Sequence, residues 1–241
     1  MLKELAQYIT GLAVEAQKTE VMDINGETYI DGKRLMPDAC NYKELNTLDA
    51  AIDFLHVTCK DGDFEYPLIV SATHKDIEVY SSLDKYKKRN YVLSVSPTTP
   101  QINFNFYMDL EEFIIQLQTC FVNTDNKRNL LELISSFVES EKLEVADNGI
   151  SQTVTVEKGA AVKSKDAVEV NPFVRLAAYR TYTEVEQPET MYLLRVKQGN
   201  RIALYEADGG RWKLEAQKRV AGYLREGLSD LIEDGKVVVI G

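Results

Sequence analysis

With 241 residues and 44% hydrophobic content, the chain can pack a proper core as one large domain or two small ones, and a mostly disordered chain is excluded. A formal net charge of -10 argues against broad attraction to nucleic acid or an anionic membrane, yet leaves room for a local basic patch. No run approaches the roughly 18 to 20 apolar residues of a spanning helix, and the three cysteines, Cys40, Cys59 and Cys120, are odd in number and widely spaced, as reduced thiols are. The N-terminus MLKELAQYITGLAVEAQ alternates charged with apolar residues instead of forming a signal-peptide core, so a cytoplasmic protein is expected.

Leu2, Leu5, Ile9, Leu12 and Ala16, extended by Tyr8, predict an amphipathic helix over residues 3 to 17, whose stripe would pack on the core or on another copy of the chain. Asn25 and Gly26 between Val21 to Ile24 and Glu27 to Ile30 predict a two-residue hairpin, closed by Gly32 and Pro37. The polar segment KRLMPDACNYKELN reads as a connection that ends in Asn46 or Thr47 as N-cap of a helix from Leu48 to Thr58. Strands are predicted over Leu68 to Ala72, Ile77 to Tyr80 and Tyr91 to Val95, with a turn at His74 and Lys75 and a basic loop from Lys85 to Arg89. Alternation of Ile102, Phe104 and Phe106 predicts a further strand, and Asp109 with Glu112 forms a capping box for a helix running to Phe121. A second helix starts at Asp125, with Leu130, Leu133, Ile134, Phe137 and Val138 on one side. Asp147, Asn148 and Gly149 then make a turn, TVTVEKGAAV reads as a strand pair hinged on Gly159, and Lys236 to Ile240 is a last strand.

The clearest pattern lies between Asn171 and Arg219. Met191 to Lys197 and Arg201 to Ala207 are β-rich runs joined by Gln198, Gly199 and Asn200; Tyr192, Leu194, Val196, Ile202 and Leu204 make one face more apolar than the other. Asp208, Gly209 and Gly210 break the second strand. From Arg211 the period turns helical, through Trp212, Ala216, Val220, Tyr223, Leu224, Leu228, Leu231 and Ile232. The reading is an α+β protein, mainly antiparallel sheet with helices packed on one face, in which the 191 to 207 hairpin is central and the helix from Arg211 covers a sheet face through Trp212, Val220 and Leu224. Residues 1–45 form an extension of helix and hairpin, and residues 46–241 form the body, with any sub-boundary falling within 122–148.

This stretch also carries nine Lys or Arg against six acids, a local +3 in an acidic chain. Arginine's planar fork suits phosphate and carboxylate, and two glycines before a helix expose backbone N–H groups to an anion. The candidate ligand site is therefore Arg180, Arg195 and Arg211 around Gly209 and Gly210, with Tyr182 or Tyr205 stacking on the ligand. Solvated strand arginines paired with Glu184, Glu186 or Glu206 would give the same composition. Tyr179, Arg180, Tyr182, Tyr192, Arg195, Tyr205, Arg211 and Trp212 interleave aromatics with cations, as surfaces that stack bases and hold phosphates do.

Catalytic signatures are missing. His56 stands three residues from Cys59 with no second ligand pair, so neither a metal nor a cofactor is expected. No phosphate loop, dinucleotide fingerprint, nucleophile elbow or zincin motif occurs. Glu184, Glu186, Glu206 and Asp208 with Lys213 invite comparison with a metal-dependent nuclease, but the acid-x-Lys unit of such sites is absent.

The order of elements from Leu48 onward, with DLEEFIIQLQTCF, NPFVRLAAYRTY, RTYTEVEQPET and EADGGRWK, resembles the YfdQ-type family of phage and prophage proteins over roughly four fifths of the chain. The positions that carry it are Asp53, Phe54, Asp109, Phe113, Pro172 and Phe173, and the Asn25–Gly26 hairpin lies outside it. The resemblance implies a phage origin, hence a bacterial host cytoplasm, and an α+β fold, and it supplies no catalytic residue to carry over. The leading expectation is a non-enzymatic phage accessory protein that binds an anionic small molecule or a host protein, in a role such as blunting a host defence. The alternatives are a nucleic-acid-binding protein of phage replication or recombination, and a metal-dependent hydrolase of nucleotides or nucleic acid. A homo-oligomer through the N-terminal helix is expected.

Overall fold

The computed structural model describes residues 3, 5–10, 21–24, 27–30, 33–34, 43–62, 64–138, 142–147, 152–157 and 165–241. Contacts divide the chain into two units, Met1–Cys40 and Asn41–Gly241.

In the first unit, residues 5–10 are helical (α1), and Leu5, Tyr8 and Ile9 are all exposed. β1 (Val21–Ile24) and β2 (Glu27–Ile30) pair antiparallel with Ile24 opposite Glu27, the register of the two-residue turn expected at Asn25 and Gly26, which themselves lie outside the described residues. β3 (Lys33–Arg34) adds a third strand inside what reads as a polar connection. Leu2, Leu12, Ala16, Gly32, Pro37 and Cys40 also lie outside the described residues.

The second unit is α+β, built on mostly antiparallel sheets. Its first sheet has the order β15 (Val237–Ile240), β5 (Leu68–Ala72), β6 (Ile77–Tyr80), β7 (Tyr91–Val95), β4 (Lys43–Leu45); the two outermost pairings are parallel and the inner ones antiparallel. Alternation turns Leu68, Val70, Ile77, Val79, Leu93 and Val95 to one face, where α2 (Leu48–Asp61) and α5 (Arg211–Gly227) cover them with Leu48, Leu55, Val220 and Leu224. The helices approach closely at Gly227, where a Cβ would collide with Ile52 Cδ1. The opposite face presents Val238, Ile69, Tyr80 and Tyr91 in one row and Ile240, Ser71, Glu78, Ser94 and Glu44 in the next, all half-buried or exposed.

The second sheet has the order β12 (Phe173–Ala177), β13 (Glu189–Lys197), β14 (Arg201–Glu206), β8 (Met108–Asp109), antiparallel throughout, so the 191 to 207 hairpin is central. Tyr192, Leu194, Val196, Ile202 and Leu204 pack against α3 (Leu110–Cys120) and α4 (Asp125–Val138) through Phe113, Leu117, Leu130, Ile134 and Phe137. Burying each such side chain is worth roughly 1.5 to 3 kcal/mol. A third, antiparallel sheet runs β11 (Lys165–Val170), β10 (Gln152–Glu157), β9 (Lys142–Asp147). Its second hairpin pairs Glu157 with Lys165, so the strand expected directly after Gly159 starts at Lys165. Asn148, Gly149 and Gly159 lie outside the described residues.

Caps account for several boundaries. The Thr47 hydroxyl accepts the Ala50 N–H at 3.2 Å, and Gly62 ends α2 at φ 75°, one turn later than Thr58, because its N–H still reaches the Thr58 carbonyl. The Asp109 carboxylate accepts the Glu112 N–H at 2.8 Å. The strand expected over residues 102 to 107 does not form. Asn105 takes φ 62°, the Asn103 N–H donates to Gln116 Oε1, and the Asn105 N–H to the Leu204 carbonyl, so side-chain and isolated partners replace a ladder. The helix from Arg211 breaks at Leu228 (φ -112°) and resumes as α6 (Ser229–Glu233). Among the described residues, no helix is long and apolar enough to cross a membrane.

Candidate nucleic-acid interface

The residues proposed to bind an anion do not converge. Arg180 is inside the protein, its side chain 9% exposed, paired with the Glu206 carboxylate and donating to Thr190 Oγ1 at 2.9 Å. Its guanidinium lies 3.9 Å from the Trp212 ring centre and within cation–π range of Phe104 and Tyr192. Tyr182 is fully buried and donates its hydroxyl to the Val95 carbonyl at 2.7 Å, so it offers no stacking surface; burial also pushes its phenol well above the usual range. Burial likewise pushes the Tyr192 phenol up to about 12, against the pull of Arg180.

The turn before α5 is also engaged. Asp208 accepts the Gly210 N–H (3.0 Å) and the Trp212 N–H (3.1 Å), so its own carboxylate occupies the position an external anion would take at this helix N-terminus. Gly209 and Gly210, at φ 64° and 82°, serve to fold the chain back onto Asp208. Arg211 is exposed one residue beyond. The four acids of the hydrolase reading are likewise dispersed: Glu206 pairs with Arg180, Asp208 caps α5, Glu184 accepts the Leu48 N–H at 2.7 Å, and Glu186 sits 3.1 Å from Arg219. His56 holds the Ile52 carbonyl and Asp230. Among the described residues, no group of three or more His, Cys, Asp or Glu is arranged to hold a metal ion.

Arg195 and Tyr205 belong to a different surface, the face of the second sheet turned away from its helices. Register places Phe173, Leu193 and Tyr205 in one row across β12, β13 and β14, Arg175 beside Met191, Arg195 beside Ala203, and Lys197 beside Arg201. Phe173 is 49% exposed, and Leu193, Tyr205, Met191 and Arg195 are half-buried; only Ala203, the smallest, is fully covered. Tyr107 extends the aromatic row: its ring meets Tyr205 edge-on at 6.2 Å, Lys197 Nζ lies 4.0 Å from its centre, and Arg201 donates to its carbonyl at 2.8 Å. Phe173, Leu193 and Tyr205 thus lie in line, Tyr107 meets the end of that row, and four cations stand about the four side chains.

Of the residues the sequence suggests for a ligand site, Arg195 and Tyr205 share this face; Arg180 and Tyr182 are buried elsewhere. Phe173, Arg175, Tyr107 and Arg201 escaped the functional reading, although the FVR alternation signals that Phe173 and Arg175 share a face. Which side of the hairpin that face joins depends on the β12–β13 register. Comparison with family models, curated proteins and solved structures found no match.

Proposed function

We propose that this chain binds single-stranded nucleic acid on the open face of its second sheet, a binding role and not a catalytic one. The observation that carries it is the row of Phe173, Leu193 and Tyr205, continued by Tyr107, among Arg175, Arg195, Lys197 and Arg201. Every base has a π-face to stack on an exposed ring, and guanidinium and ammonium groups at strand spacing meet successive phosphates. The -10 net charge of the whole chain opposes loose attraction, so binding is confined to this face and is strongly salt-dependent. A phage accessory role and self-association through Leu5, Tyr8 and Ile9 are compatible proposals.

The test is fluorescence anisotropy of a labelled oligo(dT) at two salt concentrations. Four phosphate contacts give a log–log salt slope of about -3. Phe173→Ala costs about 1 to 3 kcal/mol of binding, with its melting temperature as control. No binding by the intact protein, or affinity unmoved in both Phe173→Ala and Arg175→Ala, would reject the reading.

A further inference from the structure

Along the outer side of β12 a groove of ≈ 460 Å³ separates the sheet from α4, lined by Asn126, Asn129, Leu133, Phe173, Arg175 and Met191 among others. Phe173 and Arg175 belong at once to this groove and to the open face. Asn126 and Asn129, three apart, project from the same side of α4. Both are exposed, and among the described residues neither side-chain amide has a hydrogen-bond partner. Each therefore keeps two donors and one acceptor for something outside the chain. The wall that carries them is anchored: between them Lys127 is buried and donates Nζ to the Gln118 and Phe121 carbonyls at 3.2 and 2.9 Å, tying the first turn of α4 to the end of α3. Asn171, at the groove's end, spends its oxygen on the Phe173 N–H at 3.0 Å and fixes the entry into β12.

Apolar walls, a half-exposed ring at the mouth, a cation beside it and two unspent carboxamides suit a flat heterocycle with a donor–acceptor edge more than a bare phosphate, which would leave the carboxamide oxygens facing negative charge. We infer that the groove admits one nucleobase of a strand lying on the open face, and that Asn126 and Asn129 read its edge. This rests on the reading of that face as a single-strand platform and adds base discrimination to it. Phe173 stacks on the inserted base or its neighbour, and Arg175 holds the adjoining phosphate.

Anisotropy with labelled oligo(dA), oligo(dC) and oligo(dT) of about 12 nucleotides, within the span of one binding surface, tests it in the full chain. The intact protein ranks the three with a spread of about fivefold or more, and the double variant Asn126→Ala/Asn129→Ala draws the three affinities together while its melting temperature stays that of the parent. Asn126→Gln/Asn129→Gln, which keeps the carboxamides but moves them outward, alters the ranking instead of erasing it. Equal affinity of the intact protein for all three, or a ranking untouched by the alanine pair, overturns base reading. If Phe173→Ala still weakens all three oligonucleotides, the platform survives and only the groove assignment falls; if no oligonucleotide binds, both fall together.

Discussion

The two larger sheets of the second unit are built alike and finished differently. Each buries one face beneath two helices, α2 and α5 over the first, α3 and α4 over the second, and each leaves the other face half-exposed with an aromatic row. On the first sheet the row is Val238, Ile69, Tyr80 and Tyr91, with the Tyr80 hydroxyl donating to Glu78 at 3.0 Å and Glu44 across Ser94 from Glu78. On the second, cations stand where those acids are. One layer architecture therefore yields two open faces of different charge, the second carrying Arg175, Arg195, Lys197 and Arg201 against Glu189 and Asp109, and that charge is decided by the residues of outward parity.

Residues that join the two halves give the largest expected effects. The chain His74, Trp212, Arg180, Phe104, Tyr192 runs from the first sheet's turn to the second core, with His74 edge-on to Trp212 at 5.2 Å and Phe104 stacked on Tyr192 at 5.3 Å. Trp212→Ala is expected to cost about 3 to 5 kcal/mol in chemical denaturation. Arg180→Ala costs about 1.5 to 3 kcal/mol, reduced because Glu206 is partly solvated, and does so without a specific loss of nucleic-acid affinity. Since these residues tie the cores together, unfolding followed by far-UV dichroism and by Trp212 fluorescence is expected to coincide in one transition. Separated midpoints would show the halves to be independent.

The contrast between open faces predicts a smaller, sign-dependent effect. Arg175→Glu weakens oligo(dT) binding by about tenfold or more, while Glu78→Lys on the other sheet leaves it unchanged; equal responses would dissolve the distinction. The smallest effect concerns protons. Burial, then Lys213 and Lys75, holds the His74 imidazole below its ordinary value, so its contribution is present above the unfolded value and lost as pH falls toward the folded one. The Ile52 carbonyl, with help from Asp230, raises His56, whose contribution is present at low pH and lost as pH rises through its folded value. Thermal melts between about pH 5 and 7.5 are expected to show His74→Asn less acid-sensitive than the parent and His56→Asn more so.

Much of the fold was legible because the governing signals are local. Strands β5, β6 and β7 and the start of α5 stand where the alternation and the 3.6 period place them, and Thr47 and Asp109 cap as their side chains dictate. The failures have non-local causes. Residues 102 to 107 alternate like a strand, and Phe104 does point inward, but Gln116 and Leu204 draw their N–H groups away from any ladder. The parallel strand β4 hid in a polar connection, since its partner β7 lies far along the chain. The site was half legible for the same reason: Arg195 and Tyr205 are on the open face by parity, but nothing local shows that Arg180 folds inward onto Trp212 and Glu206, or that Asp208 occupies the helix end behind the two glycines.

The parallel pairing of β15 with β5 sets a timetable for synthesis. Leu68 to Ser71 are made well before their edge partners, since Val237, paired with Leu68, lies about 170 residues further along the chain, and Glu184, which holds the Leu48 N–H, is 136 residues downstream of it. At about 5 to 20 residues per second, β5 waits on the order of ten seconds with one edge unpaired. Through that interval an apolar strand is available to any neighbouring nascent chain, whereas the hairpin of β13 and β14 closes within moments of being made. Slow translation between these segments is therefore expected to reduce yield through the first sheet.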